Sequence, residues 1–386
     1  MTVLTGLAAS VGDTLFNAAV FLFVLSVVVF VHELGHFLVA RWCGVRVAAF
    51  SIGFGRELFG FDDRHGTRWR FAAIPLGGYV KFMDDENVAS APTGEPQREL
   101  TPEELAGSFH HKPLWQKAAV VAAGPIANFL FAIVVFAIMF MTLGIRSTAP
   151  KVDEVVAGMP AAKAGIQAGD VIKAINGSPM KSFNDVRRIV SVNIDRELLV
   201  TVDRDGKPVE LKMTPIGQEV DDPVGGKVKQ GLIGIKRSAT PQSYVLARPG
   251  PLEAVWLGVV ETQYVITSTL GYLGDVIVGR QSADQLGGVV RIAEATRQVV
   301  KLSPEFLPHF IALISVSIGL INLFPIPILD GGHLMFYAIE AVRRRPLSER
   351  TQEIAFRMGL AVVLMLMVFA FWNDRLILGR WFGATG

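Results

Sequence analysis

Four long apolar stretches dominate the pattern of hydrophobic and polar positions along the chain. His309 is the only ionisable side chain in these stretches, which cover residues 14–31, 118–145, 306–329 and 358–373. A helix that crosses a membrane needs about 20 predominantly apolar residues. The pattern therefore predicts four transmembrane helices, which with their flanking turns cover residues 14–43, 114–145, 306–333 and 354–373.

Residues 44–113, between the first two predicted helices, contain two glycine-rich apolar segments at 50–55 and 69–82. Such segments favour strands, and non-helical backbone this close to a membrane span predicts membrane-associated β-hairpins that are shielded by protein. Pro75 suits an edge strand, which has free backbone groups. Residues 84–105 are acidic and polar and predict a loop.

Residues 146–237 contain short polar and apolar segments typical of a small α+β domain. Residues 160–177 predict a short helix, a turn, a strand and a tight turn at Asn176-Gly177, and residues 182–190 predict a helix with Ser182 as its cap. Two strands at 197–203 and 209–213 are predicted on either side of Asp205-Gly206. This order resembles a PDZ domain, which binds extended peptides by adding them as a strand beside its helix. A generic small β domain is the alternative interpretation.

Residues 238–305 connect this domain to the third predicted span and include an amphipathic segment at 252–278. Glu253, Glu261 and Asp275 interrupt its apolar residues. We therefore expect a helix that lies in the membrane interface, not a fifth span.

The distribution of Lys and Arg predicts the orientation in the membrane, because cytoplasmic loops carry an excess of these residues. The segment before the first span has none, whereas the connection after the third span contains Arg343, Arg344, Arg345 and Arg350. We therefore expect residues 41–117 inside the cytoplasm, and both termini and the PDZ-like domain outside it.

Composition agrees with a membrane protein and excludes several classes of site. Of 386 residues, 51% are hydrophobic and only 19% are charged, which is unlike a disordered chain. The 37 Lys and Arg against 35 Asp and Glu leave a net charge of +2, too balanced for a nucleic-acid binder that uses a basic surface. Cys43 is the only cysteine, so an internal disulfide and an iron–sulfur cluster are excluded.

The candidate chemistry begins with His32-Glu33-Leu34-Gly35-His36 in the first predicted span. Residues four apart share one face of a helix, so His32 and His36 can hold one zinc ion while Glu33 takes a proton from bound water. Composition alone would give roughly 0.01 such matches in this chain, which makes chance a poor explanation. A buried polar cluster or a proton relay is the alternative, but ionisable groups in an apolar span are costly without a cation.

A catalytic zinc site needs a third protein ligand and an open position. The metzincin pattern is excluded because Val39 and Trp42 occupy its next two positions. A thermolysin-type site would nominate Glu57. Asp330 is the better candidate, because it ends the third predicted span on the same side of the membrane as the histidine pair.

These motifs together resemble the site-two protease family, and more closely its bacterial regulator-of-sigma-E protease branch. The resemblance rests on the histidine motif, on Gly124-Pro125-Ile126-Ala127-Asn128, on the PDZ-like segment and on the segment from Asn322 to Gly332. It implies zinc held by His32, His36 and Asp330, with Glu33 as the catalytic base. It also implies that Asn322 is a catalytic residue that orients the substrate backbone or stabilises the oxyanion, and that Pro325 and Pro327 shape the cleft.

The resemblance also implies a biological setting. The enzyme would lie in a bacterial inner membrane, with its PDZ-like domain in the periplasm. It would cut the transmembrane segment of a single-span membrane protein, such as an anti-sigma factor, after a first cleavage by another protease. The PDZ-like domain would bind a peptide or the new C-terminus. No nucleic acid is expected as a partner.

Two other classes of protein share some of these features. A binding protein with an inactive metal site would keep the PDZ-like domain and the spans, but it has little need for both Glu33 and Asp330. A metal or proton transporter uses intramembrane His and Asp, yet it does not need an external PDZ-like domain.

Overall fold

The computed structural model describes residues 2–83, 101–221, 227–237, 245–283 and 286–375. The predicted loop at 84–105 lies outside the described residues except for its last five positions. The chain forms two compact units, one of residues 1–135 and 286–386 and the other of residues 136–285.

The helices in chain order are α1 (Thr2–Trp42), α2 (Pro102–Gly107), α3 (Leu114–Thr142), α4 (Pro160–Lys163), α5 (Phe183–Val192), α6 (Pro251–Ile277), α7 (Val289–Leu302), α8 (Leu307–Asn322), α9 (Asp330–Arg343) and α10 (Glu349–Asn373). The strands are β1 (Val47–Asp62), β2 (Arg68–Phe82), β3 (Ile145–Ser147), β4 (Glu154–Val155), β5 (Val171–Ile175), β6 (Ser178–Pro179), β7 (Leu198–Arg204), β8 (Lys207–Met213), β9 (Ile216–Asp221), β10 (Lys227–Leu232), β11 (Ile235–Lys236) and β12 (Val245–Ala247).

Four described helical segments are long and apolar enough to cross a membrane, as predicted. They are Gly12–Trp42, Leu114–Thr142, Pro304–Asn322 and Arg350–Asn373. The third is shorter than expected, because α8 ends at Asn322 and α9 begins at Asp330. Pro325 and Pro327 lie in this gap, where their missing N–H groups and fixed φ angles disfavour a continuous helix.

In the first unit, the two predicted strand segments form one long antiparallel hairpin, β1–β2, against α1. The hairpin folds back on itself, because residues 49–52 of β1 pair with residues 78–81 of β2 on one side and with residues 68–71 on the other. Gly53 and Gly55, which follow this segment, both have positive φ angles. Aromatic side chains anchor the hairpin to the helix: Phe50 contacts both Phe37 of α1 and Trp69 of β2. These contacts place the backbone of β2 beside the second half of α1.

The second unit is built on a four-stranded antiparallel sheet with the order β6-β5-β7-β8. Its two hairpins turn at the predicted positions, where Asn176-Gly177 and Asp205-Gly206 all have positive φ angles. Ser182 begins α5 with a capping box, in which its hydroxyl and the Asp185 carboxylate each accept a backbone N–H. The core below the sheet is formed by aliphatic side chains, among them Ile172, Val186 and Val200.

Helix α6, also in the second unit, has an unusual distribution of polarity. Its buried residues include Glu261 and Asp275, which form ion pairs of 2.7 Å with Arg188 of α5 and of 2.9 Å with Arg196, in the segment between α5 and β7. Its exposed residues include large apolar side chains, such as Leu252, Trp256 and Ile277. The predicted amphipathic helix is therefore present, and its two buried acidic residues face α5 and the segment that follows α5.

Candidate metal centre

The cluster begins on α1, where His32 and His36 lie one turn apart. Their Nε2 atoms are 3.2 Å from each other and their rings pack edge to face. The continuous apolar helix around them fixes this geometry, since residues at i and i+4 share a face. Both nitrogens thus point to one place.

Asp330 completes the cluster from the first turn of α9. Its Oδ2 atom lies 3.1 Å from Nε2 of His32 and 3.5 Å from Nε2 of His36. One potential ligand atom from each of the three residues lies within 4.8 Å of the other two. The break after α8 makes this approach possible, because it turns the chain before Asp330 begins the next helix.

The cluster fits a bound zinc ion. Oδ2 of Asp330 is buried and has no hydrogen-bond partner among the described residues, although two imidazole nitrogens lie near it. A buried carboxylate oxygen without a donor is costly unless a cation compensates its charge. Two imidazoles and one carboxylate are also the protein ligands of many catalytic zinc sites, which keep a further position open.

Glu33 and Asn322 lie at the same site as the three potential ligands. All five line one cavity of about 380 Å³, together with residues 77–80 of β2. Nδ2 of Asn322 is 3.4 Å from Nε2 of His32. A side chain added at Gly78 would place its Cβ atom 3.0 Å from Cγ of Glu33, so β2 approaches the glutamate closely. The structure thus brings together every site residue predicted from the sequence.

Glu57, the alternative third ligand, is engaged elsewhere. It lies on β1 and forms ion pairs of 2.5 Å with Arg68 and 3.0 Å with Arg70. The hydrogen bond from Arg68 holds the pKa of Glu57 below its ordinary value. Both of its carboxylate oxygens therefore face guanidinium groups of the hairpin.

Helix α3 contributes residues whose role the sequence left open. The carbonyl oxygen of Val120 lies 2.8 Å from Nδ1 of His36, and Asn128 contacts Nδ1 of His32. Gly124 lies between them, where an added Cβ atom would be only 2.6 Å from Cε1 of His36 and 2.9 Å from Cε1 of His32. Glycine is thus needed for α3 to lie directly against both rings. In the sequence, the sign of this role is a glycine followed four residues later by a polar asparagine on the same face of an apolar span.

Comparisons with known proteins point to one family over most of the chain. The family model described as peptidase family M50 matches residues 20–366. A protein of Rhizobium meliloti assigned as a zinc metalloprotease is 50% identical over 354 residues, which cover 92% of this chain and 95% of that protein. A similarly assigned protein of Brucella suis is 46% identical, with coverages of 92% and 93%. The metalloprotease MmpA of Caulobacter vibrioides is 42% identical over 375 residues, with coverages of 92% and 94%.

Proposed function

Since this chain belongs to peptidase family M50, the site-two protease family, and is a zinc metalloprotease, we propose a specific class of substrate. The enzyme cuts single-span membrane proteins within or near their transmembrane segments. Family membership favours a protease over the transporter and the inactive binding protein.

One observation carries the proposal: the histidine pair lies inside a helical segment that is long and apolar enough to span a membrane. His32 and His36 belong to the apolar span Gly12–Trp42, and the cavity beside them is lined by a second span, α8, and by β2. A peptide bond must reach the histidine pair inside this apolar helix to be hydrolysed. The transmembrane segment of a substrate lies within the membrane and can therefore reach it.

The proposed chemistry assigns one task to each residue. His32, His36 and Asp330 would hold the zinc ion, which when bound polarises the scissile carbonyl and lowers the pKa of water. Glu33 takes a proton from the attacking water and passes it to the leaving nitrogen. Asn322 directs its amide N–H toward the substrate carbonyl oxygen and stabilises the negative charge that develops there.

A helical substrate must be unwound before its carbonyl groups become accessible, and β2 is suited to hold the opened segment. Residues 77–80 of β2 line the cavity. Among the described strands, residues 78–82 of β2 pair with residues 47–52 of β1 on one side only, so their other edge has backbone groups for β-augmentation. The alternative role of this strand is to shield the site from lipid.

We further propose that the second unit is a periplasmic PDZ-like domain of a bacterial inner-membrane protein. The order of its strands and its capped helix α5 support the PDZ-like fold, and the Arg-rich connection between α9 and α10 supports the orientation. The exposed apolar residues of α6 suit contact with the lipid bilayer. The domain would bind a peptide or the new C-terminus of a substrate such as an anti-sigma factor.

The central test is cleavage of a single-span membrane protein by the purified chain in detergent, with and without a chelator. We expect Glu33→Gln to abolish proteolysis and to keep about one zinc per chain by metal analysis, because Glu33 is assigned as base and not as ligand. The inactive variant should also trap substrates for identification by mass spectrometry.

Glu353→Gln is a matched control for this test, since Glu353 is an exposed residue of α10 paired with Arg357. It should cleave like the unmodified chain. Appreciable proteolysis by Glu33→Gln would remove Glu33 from the mechanism, and loss of its zinc would show that its role is misassigned.

A further inference from the structure

Asn128 is a fully buried polar side chain in the apolar helix α3. Its Nδ2 atom lies 3.3 Å from Nδ1 of His32, and its Oδ1 atom has no hydrogen-bond partner among the described residues. A buried amide in a membrane-spanning helix is costly and is therefore expected to have a task. The contact with His32 indicates which task.

The tautomer of His32 decides whether Asn128 must present a hydrogen-bond donor or an acceptor to Nδ1. Nε2 of His32 faces the cluster, 3.1 Å from Oδ2 of Asp330 and 3.2 Å from Nε2 of His36. A neutral imidazole has one N–H and one lone pair. If the lone pair of Nε2 is to bind a metal ion, the proton must lie on Nδ1, and Nδ1 then needs a hydrogen-bond acceptor.

The two histidines differ in the partner of Nδ1. For His36 the partner is the carbonyl oxygen of Val120, 2.8 Å away, which can only accept. For His32 the partner is an amide group, which presents either a donor or an acceptor because its two orientations fill nearly the same volume. Nδ2 suits a ring with its proton on Nε2, facing Asp330. Oδ1 suits a ring with its proton on Nδ1.

We propose that Asn128 is a positioning residue of the metal centre. In the zinc-bound protein, its Oδ1 atom accepts a hydrogen bond from Nδ1–H of His32, which keeps the lone pair of Nε2 directed at the zinc. Outer partners of this kind orient the ligand and raise its basicity. This inference rests on zinc binding at His32, His36 and Asp330, as in the proposed function.

Contacts with α8 hold Asn128 in place. The hydroxyl of Ser315 donates a hydrogen bond of 3.0 Å to the backbone oxygen of Asn128, and both groups are buried. A Cβ atom added at Gly319 would lie 3.2 Å from Cβ of Asn128, so the two helices pack closely there. The side-chain amide can rotate about its last bond while the backbone stays fixed.

The first test measures the zinc dissociation constant of the full chain in detergent, by competition with a chelator of known affinity. Asn128→Leu keeps a similar volume but removes the acceptor, and should raise the dissociation constant by about 10- to 100-fold. Asn128→Asp keeps an acceptor for Nδ1–H and should bind zinc nearly as tightly as the unmodified chain. Ser315→Ala is the matched control, because it loosens the same helix contact without changing the partner of His32.

A second measurement separates positioning from simple packing. In the cobalt(II)-substituted chain, each ligand histidine with a protected Nδ1–H should give one hyperfine-shifted, exchangeable proton signal in the NMR spectrum. We expect two such signals in the unmodified chain, in Asn128→Asp and in Ser315→Ala. Asn128→Leu should keep only the signal of His36, whose partner is Val120.

The outcomes that overturn the inference are distinct from those that overturn the proposed function. Unchanged zinc affinity in Asn128→Leu, or equal losses in Asn128→Asp and Asn128→Leu, would remove Asn128 from the metal centre. If Asn128→Leu does not fold, a single exchangeable signal in the unmodified cobalt protein overturns the inference, and two signals that persist in Asn128→Asp support it. Failure of the unmodified chain to bind zinc would instead contradict the proposed function.

Discussion

His32, Glu33 and His36 are three ionisable residues in one apolar helical span. Such groups are costly in a membrane unless they are paired or hold a cation. The histidine nitrogens converge on Asp330, and the second nitrogen of each ring contacts α3. The residues around the ligands are therefore as much a part of the site as the ligands themselves.

Substitution of Asp330 and of Glu57, one at a time, should show which of the two carboxylates is the third zinc ligand. Asp330→Ala should lose zinc and proteolytic activity, because Oδ2 of Asp330 lies within 3.5 Å of both histidine nitrogens. Glu57→Ala should keep zinc, because the carboxylate of Glu57 is held by Arg68 and Arg70. Metal analysis of the two purified variants tests this directly. Loss of zinc from Glu57→Ala together with its retention by Asp330→Ala would reverse the assignment.

At the scale of the elements, the site depends on how closely α1 and α3 approach. Gly35 of α1 lies against the backbone of Ala123, and Gly124 of α3 lies against both histidine rings. Helix α8 then ends before Pro325 and Pro327, so that Asp330 arrives at the start of a new helix. Small residues and one break in a helix thus place the ligands.

Gly124→Ala should disturb the metal centre, although alanine is the better helix former. Its Cβ atom would be 2.6 Å from Cε1 of His36, which would displace the ring. We expect the zinc dissociation constant to rise by about tenfold or more, by analogy with other losses of ligand orientation. Chelator competition measures the effect.

Gly12→Ala is the matched control on α1, since nothing lies within 4 Å of the Cβ atom that it would add. It should leave the zinc affinity unchanged. Equal zinc affinities for the two alanine variants would mean that α3 adjusts to the extra methyl group and that Gly124 does not set the geometry.

At the scale of the whole molecule, the candidate catalytic residues all belong to the unit of residues 1–135 and 286–386. The other unit has its own core and contributes none of the predicted ligands. The resemblance to site-two proteases implies that cleavage follows an earlier cut that shortens the external part of the substrate. We therefore propose the second unit, interpreted as a PDZ-like domain, as a size filter or a reader of the new end.

Replacement of residues 148–236 by a flexible linker should keep zinc and the cleavage of an already shortened substrate, because no predicted ligand lies in this interval. It should also allow premature cleavage of the intact substrate. Ser147, directly before the replaced segment, pairs with Val245 across β3 and β12. A side-by-side cleavage assay on intact and shortened substrates measures both effects.

The competing role of this domain is recruitment of the substrate. In that case the replacement would slow the cleavage of the shortened substrate and would not admit the intact one. That pair of results would contradict the filter.

Local patterns in the sequence determined a large part of this protein. The four apolar helices, the turns at Asn176-Gly177 and Asp205-Gly206, and the histidine pair of α1 all depend on residues within one or two turns of each other. The family and its use of zinc were also predicted correctly, because the motifs occur in a characteristic order. Short-range sterics and hydrophobic periodicity are sufficient for features of this kind.

Only the tertiary structure decided which distant groups meet. It brought Asp330, the ligand that the sequence favoured, to the histidine pair and left Glu57 with two arginines of the hairpin. It also set Gly124 and Asn128 against the two rings, and it paired the buried acidic residues of α6 with Arg188 of α5 and with Arg196 beyond the end of α5. An isolated carboxylate, glycine or asparagine has the same local signature whether it binds, packs or faces solvent. The role of such a residue depends on the packing of elements that are far apart in the chain. Hydrophobic periodicity determines which face of a helix is buried, but not which other element packs against that face.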